Sequence, residues 1–250
     1  MSENLEQPTE QDKLGYNYDS FVGRSYSFPN FKSLLKVGTR APDFKANLLD
    51  GSEITLSSHF GNQNVVLEFG SMTCPPAVFN SAASPVSLNK LYPDYKDKGF
   101  QFYVVYTREA HPGENVPHHK SYDQKLSQAT RFKTEEDLQV PIIVDSLEGD
   151  IHHKYGLLPN MIYVINKQGL IVYKADWTNM DEMRSVLDDV LKIEKARSSG
   201  ESVRISYSER LSTYIDVNES IRLRVMERAG EKAQRDWDKA SASWRRPSQP

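Results

Sequence analysis

Two kinds of apolar pattern alternate along the chain. In short runs nearly every position is apolar and β-branched or bulky, which predicts buried strands. In longer stretches apolar residues recur every three or four positions, which predicts amphipathic helices. Val65, Val66, Leu67 and Phe69 form one buried strand, Phe100–Tyr106 a second and Val140–Asp145 a third. Met161–Ile165 and Leu170–Lys174 form two more, joined by a turn over Lys167–Gly169. Ahead of them, Val37–Leu56 reads as a β-hairpin. Asp50–Gly51 is its turn dipeptide, with Phe44 and Leu48 on one arm and Ile54 and Leu56 on the other. Helical spacing runs from Pro76 to about Lys98 through Val78, Phe79, Ala82, Val86, Leu88, Leu91 and Tyr95, and Pro85 is expected to split it. Ser121 is placed to cap a helix reaching about Phe132, and Gly149–Tyr155 makes a short helical turn. In Asp181–Ile193, Met183, Val186, Val190 and Ile193 share one face. The order β-hairpin, β, α, β, α, β, β, α contains a βαβ unit followed by a hairpin and a helix. It predicts an α/β fold, a mixed central sheet with helices on both faces.

The flanks are different. Residues 1–36 form a polar N-terminal arm with scattered aromatics, Tyr16, Tyr18, Phe21, Tyr26, Phe28 and Phe31, expected to strap the arm onto the surface. The first dozen residues are expected to be disordered. Residues 37–195 carry the α/β pattern. Residues 196–250 begin with the linker SSGES and continue as a charged helical extension, with a disordered end at RRPSQP. Ile221, Val225 and Trp237 offer one docking stripe there, and the charged faces are expected to be solvated.

Composition narrows the class. With 38% hydrophobic and 26% charged residues over 250 positions, the chain is globular, and a net charge of -3 implies no bulk attraction to nucleic acid or an anionic membrane. No apolar run approaches the length of a membrane span, and the start MSENLEQPTEQDK lacks the pattern of a secretory signal. The single cysteine excludes an internal disulfide and fits a reducing cytoplasm. It also leaves no resolving partner in the chain, so turnover calls for an external thiol or a second subunit, as in a homodimer.

That cysteine, Cys74, stands between the strand ending at Phe69–Gly70 and two prolines suited to open a helix. A thiol over the free N–H groups of a helix start is favoured as thiolate, with a pKa in the range of roughly 3.5–7.5. The alternative is a small buried hydrophobe, as many free cysteines are. His111, His118, His119, His152 and His153 lack an i, i+4 ligand pair such as HExxH, so no metal site is expected.

The hairpin, the strand–Cys–helix and the loop YGLLPNMIYVINKQG resemble the thioredoxin-like superfamily and its redoxin and peroxiredoxin branch. The resemblance implies that Pro159 is a cis-proline lying against the cysteine. A narrower likeness is to the iodothyronine deiodinases. Their segment Phe-Gly-Ser-x-Thr-selenocysteine-Pro-Pro is matched by Phe69, Gly70, Ser71, Thr73, Cys74, Pro75 and Pro76, with sulfur for selenium. Tyr106, Glu109, Ala110 and His111 match a second segment, and Val116, Pro117 and His119 match a third.

The resemblance implies reductive removal of halogen from an aromatic, iodothyronine-like substrate by Cys74, with no bound cofactor and an external thiol such as thioredoxin or glutathione as reductant. His111 is then a proton donor oriented by Glu109, and His119 supplies a second proton or binds a phenolic oxygen. Ser71 and Thr73 either donate to the Cys74 sulfur or support the loop, and Tyr106 supports the site. Two departures bear on substrate. Asn160 and Met161 replace the family's Glu-Arg pair, and no membrane anchor is expected. The alternatives are a monothiol peroxidase or thiol-disulfide reductase, though Leu67 stands where peroxiredoxins place a proline, and a non-catalytic adaptor of the same fold.

Overall fold

The structure is a computed structural model and describes residues 9–23, 27–211 and 218–242. Eight strands form one sheet in the order β2-β1-β5-β4-β3-β6-β7-β8. Strands β1 (Lys45–Leu48) and β2 (Glu53–Thr55) are the antiparallel hairpin. Gly51 takes a φ of 85°, and Asp50 Oδ1 accepts from the amide and hydroxyl of Ser52. Strands β3 (Asn64–Gly70), β4 (Phe100–Tyr106) and β5 (Ile142–Val144) run parallel, and β6 (Met161–Ile165) and β7 (Ile171–Asp176) continue antiparallel from β3. The mixed sheet is the one the pattern predicts. A short polar edge strand, β8 (Ser208–Arg210), is added parallel to β7. Its three residues have no apolar alternation to announce them.

Strand β3 is buried at every position. Its alternation divides the core. Val66 points to one face with Phe102, Val104, Ile162 and Val164. Val65, Leu67 and Phe69 point to the other with Val105, Tyr163 and Ile165. The first face is covered by α4 (Leu88–Tyr95), α5 (Tyr122–Glu135), α7 (Met180–Ser198), α8 (Glu219–Ala229) and α9 (Glu231–Ala242). The second is covered by α2 (Ser27–Leu34) and α6 (Asp150–Tyr155), through Phe31, Ile151 and Tyr155. Ser121 caps α5 as predicted, accepting from the Gln124 amide at 3.2 Å. The long helix expected from Pro76 is broken into α3 (Pro75–Val78), a π turn over Phe79–Ala83 and α4, and the break falls just before Pro85.

The flanks are more ordered than expected, and the docking stripe of Ile221, Val225 and Trp237 packs on the core as read. Residues 10–13, counted with the disordered start, form a helical turn, α1 (Glu10–Lys13), with a capping box on Thr9. Residues 1–8 lie outside the described residues, as do Tyr26, the side chain of Phe28 and the RRPSQP end. The C-terminal helices join the core. Val225, Met226, Ala229 and Ala233 are fully buried in it, so α8 and α9 dock through small apolar positions at helical spacing. A Cβ on Gly113 would stand 2.2 Å from the Ala229 carbonyl oxygen, so glycine lets α8 lie against the 109–119 loop. That loop returns the contact: the Glu114 carboxylate accepts from the amides of Glu231 and Lys232 and caps α9.

Candidate active site

The end of β3, the turn after it and the end of β4 build the site. Gly70 lets α3 approach the strand, since a Cβ there would stand 2.5 Å from that of Ala77. Cys74 is the residue before α3, with φ -101° and ψ 105°, and its amide donates to the Ser71 carbonyl at 3.1 Å. The strand–Cys–helix geometry is thus as predicted. Its electrostatic consequence is not. Cys74 is 1% exposed, packed with Ala77 and Ala110. Burial pushes its thiol up to about 12, the Ala77 amide pulls it back only in part, and Glu68 and Glu109 add to the rise. In this closed form Cys74 is a thiol, because a short helix start does not compensate the loss of water around an anion.

Glu109 is the hub beside it. Thr73 donates to Glu109 Oε2 through its hydroxyl at 2.5 Å and its amide at 3.2 Å. Tyr106 donates its hydroxyl to Oε1, and His119 Nε2 donates to the same oxygen at 3.3 Å. Burial opposes the Glu109 anion, but the bonds from His119, Thr73 and Tyr106 outweigh it and hold the carboxyl below its usual range. The hydroxyls of Ser71 and Thr73 therefore brace loops. Ser71 Oγ accepts from the Ala110 amide at 3.2 Å and Thr73 Oγ1 from the His111 amide at 3.1 Å.

His111 and His119, alike in sequence, part company here. His119 is buried against the Glu109 carboxylate. His111 sits in an aromatic box, 4.3 Å from the Phe21 ring and 5.0 Å from that of Trp237. Burial pushes it down to about 3, with the Arg222 charge adding to the fall, and its Nδ1 has no hydrogen-bond partner among the described residues. As a protonated donor oriented by Glu109, His111 is corrected: it is neutral, and Glu109 is bonded to His119 instead.

Pro159 is also corrected, because no described peptide bond is cis. The turn is made by Leu157 at φ 65°, and Asn160 fixes the entry into β6. Its amide donates to Phe69 O at 3.0 Å and Glu68 Oε1 at 3.2 Å, and its side-chain oxygen accepts from Thr178 N at 2.8 Å.

Sequence reasoning passed over two buried ionisable residues. Glu68 is fully buried in β3 and accepts from Ser81 Oγ at 2.9 Å; burial pushes it up to about 8. A lone carboxylate inside VVLEF was the available signal. Arg108, in the middle of the matched segment, is 6% exposed and faces the rings of Tyr16 and Tyr18 at 4.8 and 5.3 Å. Among the described residues no cluster of three metal-ligating side chains occurs, and no helix is long and apolar enough to cross a membrane.

The model of the family described as iodothyronine deiodinase matches residues 11–191, most of the chain. This chain belongs to the iodothyronine deiodinase family. The deiodinase match begins inside the N-terminal arm and ends in α7. A type I iodothyronine deiodinase of Xenopus laevis is 30% identical over 148 residues, 56% of each chain. A thyroxine 5-deiodinase of Homo sapiens is 28% identical over 166 residues, 60% of this chain and 52% of the relative. The chain thus matches a little over half the length of these relatives. Among solved structures, one assigned as a protein disulfide isomerase of Bacteroides thetaiotaomicron aligns with a TM-score of 0.52 at 22% identity, over 67% of this chain and 96% of that one. One assigned as a thiol:disulfide interchange protein of Chlorobium tepidum aligns with a TM-score of 0.50 at 20% identity, over 63% and 99%. The fold is thioredoxin-like.

Proposed function

We propose that this deiodinase-family chain removes halogen reductively from an aromatic substrate, with Cys74 as nucleophile and an external thiol as reductant. The observation that carries the reading is the buried Glu109–His119 pair, tied through Thr73 to the turn that holds Cys74. In this reading the pair serves as acid and base near the chain's single cysteine. The Cys74 thiolate attacks iodine of Ar–I, the C–I electron pair passes to the ring carbon, and that carbon takes a proton from His119. The products are Ar–H and a Cys74 sulfenyl iodide. An external thiol displaces iodide to give a mixed disulfide. A second thiol then releases Cys74 and the oxidised reductant. The sum is Ar–I plus two thiols giving Ar–H, iodide, a proton and a disulfide.

His111 acts in this reading as a neutral wall of the site. Opening of the cover over Cys74 is part of the cycle, because the thiol must meet both water and substrate. A reducing compartment such as the cytoplasm suits the lone cysteine. The test is iodide release from an iodinated phenol with dithiothreitol. Release well above that of Cys74→Ser is expected, and equal release rejects the function.

A further inference from the structure

The cover over the site points to a ligand. The N-terminal arm crosses it between Tyr16 and Phe21. Tyr18 is 7% exposed and donates its hydroxyl to the carbonyl of Ala110, which packs with Cys74, at 3.0 Å. Its phenol also lies within electrostatic reach of Cys74 and Glu109, and within hydrogen-bonding influence of Arg108. Arg108 is a buried cation that no carboxylate pairs with among the described residues. It donates to the Leu157 carbonyl at 3.2 Å, faces two tyrosine rings, and keeps its Nε buried without a partner. One carbonyl, two ring faces and the Tyr18 phenol give this buried guanidinium no counter-charge, and burying it so is costly unless an anion is meant to meet it.

We propose that Arg108 is the seat for a phenolate oxygen, and that Tyr18 fills that seat until an aryl ligand bearing such an oxygen displaces the arm. This rests on the aromatic-halide reading above and adds to it a specificity residue and a placeholder. The chemistry favours exchange in one direction. A tyrosine phenol, with a pKa of about 10, is neutral at neutral pH and offers Arg108 only a dipole. Halogens beside a hydroxyl withdraw electrons and make the phenol a stronger acid, so a halophenol arrives as an anion. N–H···O⁻ bonds are roughly twice as strong as their neutral counterparts. Once halogen is lost the ring is a weak acid again, and Tyr18 competes on equal terms with the product.

The arm's own ties are of the kind that can yield. Asn17 exchanges hydrogen bonds with the His119 backbone, Tyr16 donates to His152 Nδ1 at 3.1 Å, and Lys232 holds the Asp19 carbonyl and Ser20 hydroxyl. None of these contacts is a buried ion pair.

The experiment uses the full chain in a Cys74→Ser background, so no turnover intervenes. The probe is 2,6-diiodo-4-nitrophenol, whose phenolate absorbs in the visible, titrated at pH 7.5. Tyr18→Ala is expected to tighten binding about tenfold and Arg108→Gln to weaken it at least tenfold, with Arg108→Lys between. The O-methyl ether of the probe, followed by competition, is expected not to bind, and a halobenzoate to bind more weakly than the phenol. Amide exchange over residues 10–22 is expected to quicken when the probe binds. Unchanged or weaker binding by Tyr18→Ala, equal binding of the ether, or slower arm exchange overturns the proposal, even if Arg108→Gln does not fold. Binding as expected without iodide release in the Cys74 protein rejects only the catalytic reading. Iodide release that ignores Tyr18 and Arg108 rejects only this one.

Discussion

Trp237→Ala tests whether cover over Cys74 governs its reactivity. With its pKa near 12 in the closed form, the thiolate fraction of Cys74 at pH 7.5 is about 3 × 10⁻⁵, against about 9% for a free thiol of pKa about 8.5. Alkylation of the closed state is therefore roughly 3,000-fold slower than that of a free cysteine on ionisation alone, and exclusion of the reagent adds to it. Labelling then proceeds through an opened state. Trp237 stacks on Phe21 with ring centroids 6.0 Å apart and makes an edge contact with His111, so it anchors the arm whose Tyr18 is bonded to Ala110 beside Cys74. Each aromatic pair is worth about 0.5–1.5 kcal/mol, so losing two raises the opened population by roughly 5- to 150-fold.

The assay is the iodoacetamide rate against pH, followed by intact mass, for wild type and Trp237→Ala. The wild type is expected to be slow, and its rate still rising at pH 9. The variant is expected to label at least about fivefold faster, with unchanged far-ultraviolet circular dichroism. A wild-type rate that levels off near pH 7, or a variant no faster than wild type, refutes the cover argument and restores the thiolate read from the helix start.

Other predictions rest on single contacts. His119→Gln is expected to lower iodide release by about 10²–10⁴, the usual span for a lost general acid, whereas His111→Phe changes it less than about threefold. Equal losses would mean that the neutral aromatic box is misread. Glu68 has its folded pKa raised from about 4.5 to about 8. Its contribution is full below the unfolded value and lost as pH rises through the folded one. The unfolding free energy of the wild type from urea titrations is therefore expected to fall between pH 5 and 8 relative to Glu68→Gln, by an upper bound of a few kcal/mol. Parallel pH curves would show that the carboxyl is not buried neutral. Gly113→Ala drives a methyl group against the Ala229 carbonyl. It is expected to lower the melting temperature by several degrees and speed Cys74 labelling, and a silent variant would put α8 elsewhere.

Tertiary cover decides where sequence reading succeeded. Turn chemistry and alternation act over a few residues, so the Asp50–Gly51 hairpin, the Ser121 cap and the apolar β3 run were legible and stand as read. The ordered Cys74, Glu109 and His119 segments were legible because each lies at a strand end or its loop, where the parallel order of β3 and β4 brings them together. Ionisation was not legible, because it depends on groups distant in the chain. His111 is held neutral among the Phe21 and Trp237 rings, and Cys74 by its burial with Ala77 and Ala110, to which Tyr18 is bonded; the arm and the tail were read as a surface strap and a docking stripe, not as walls of a site. Arg108 was hidden for the same reason, since its meaning comes from tyrosines some 90 residues earlier. The helix-start argument for a thiolate holds only where water reaches the sulfur. In the proposed cycle the arm, through Tyr18 on Ala110, and the Trp237 ring stacked on Phe21 bear on whether water reaches Cys74, and the turn sets only where it points.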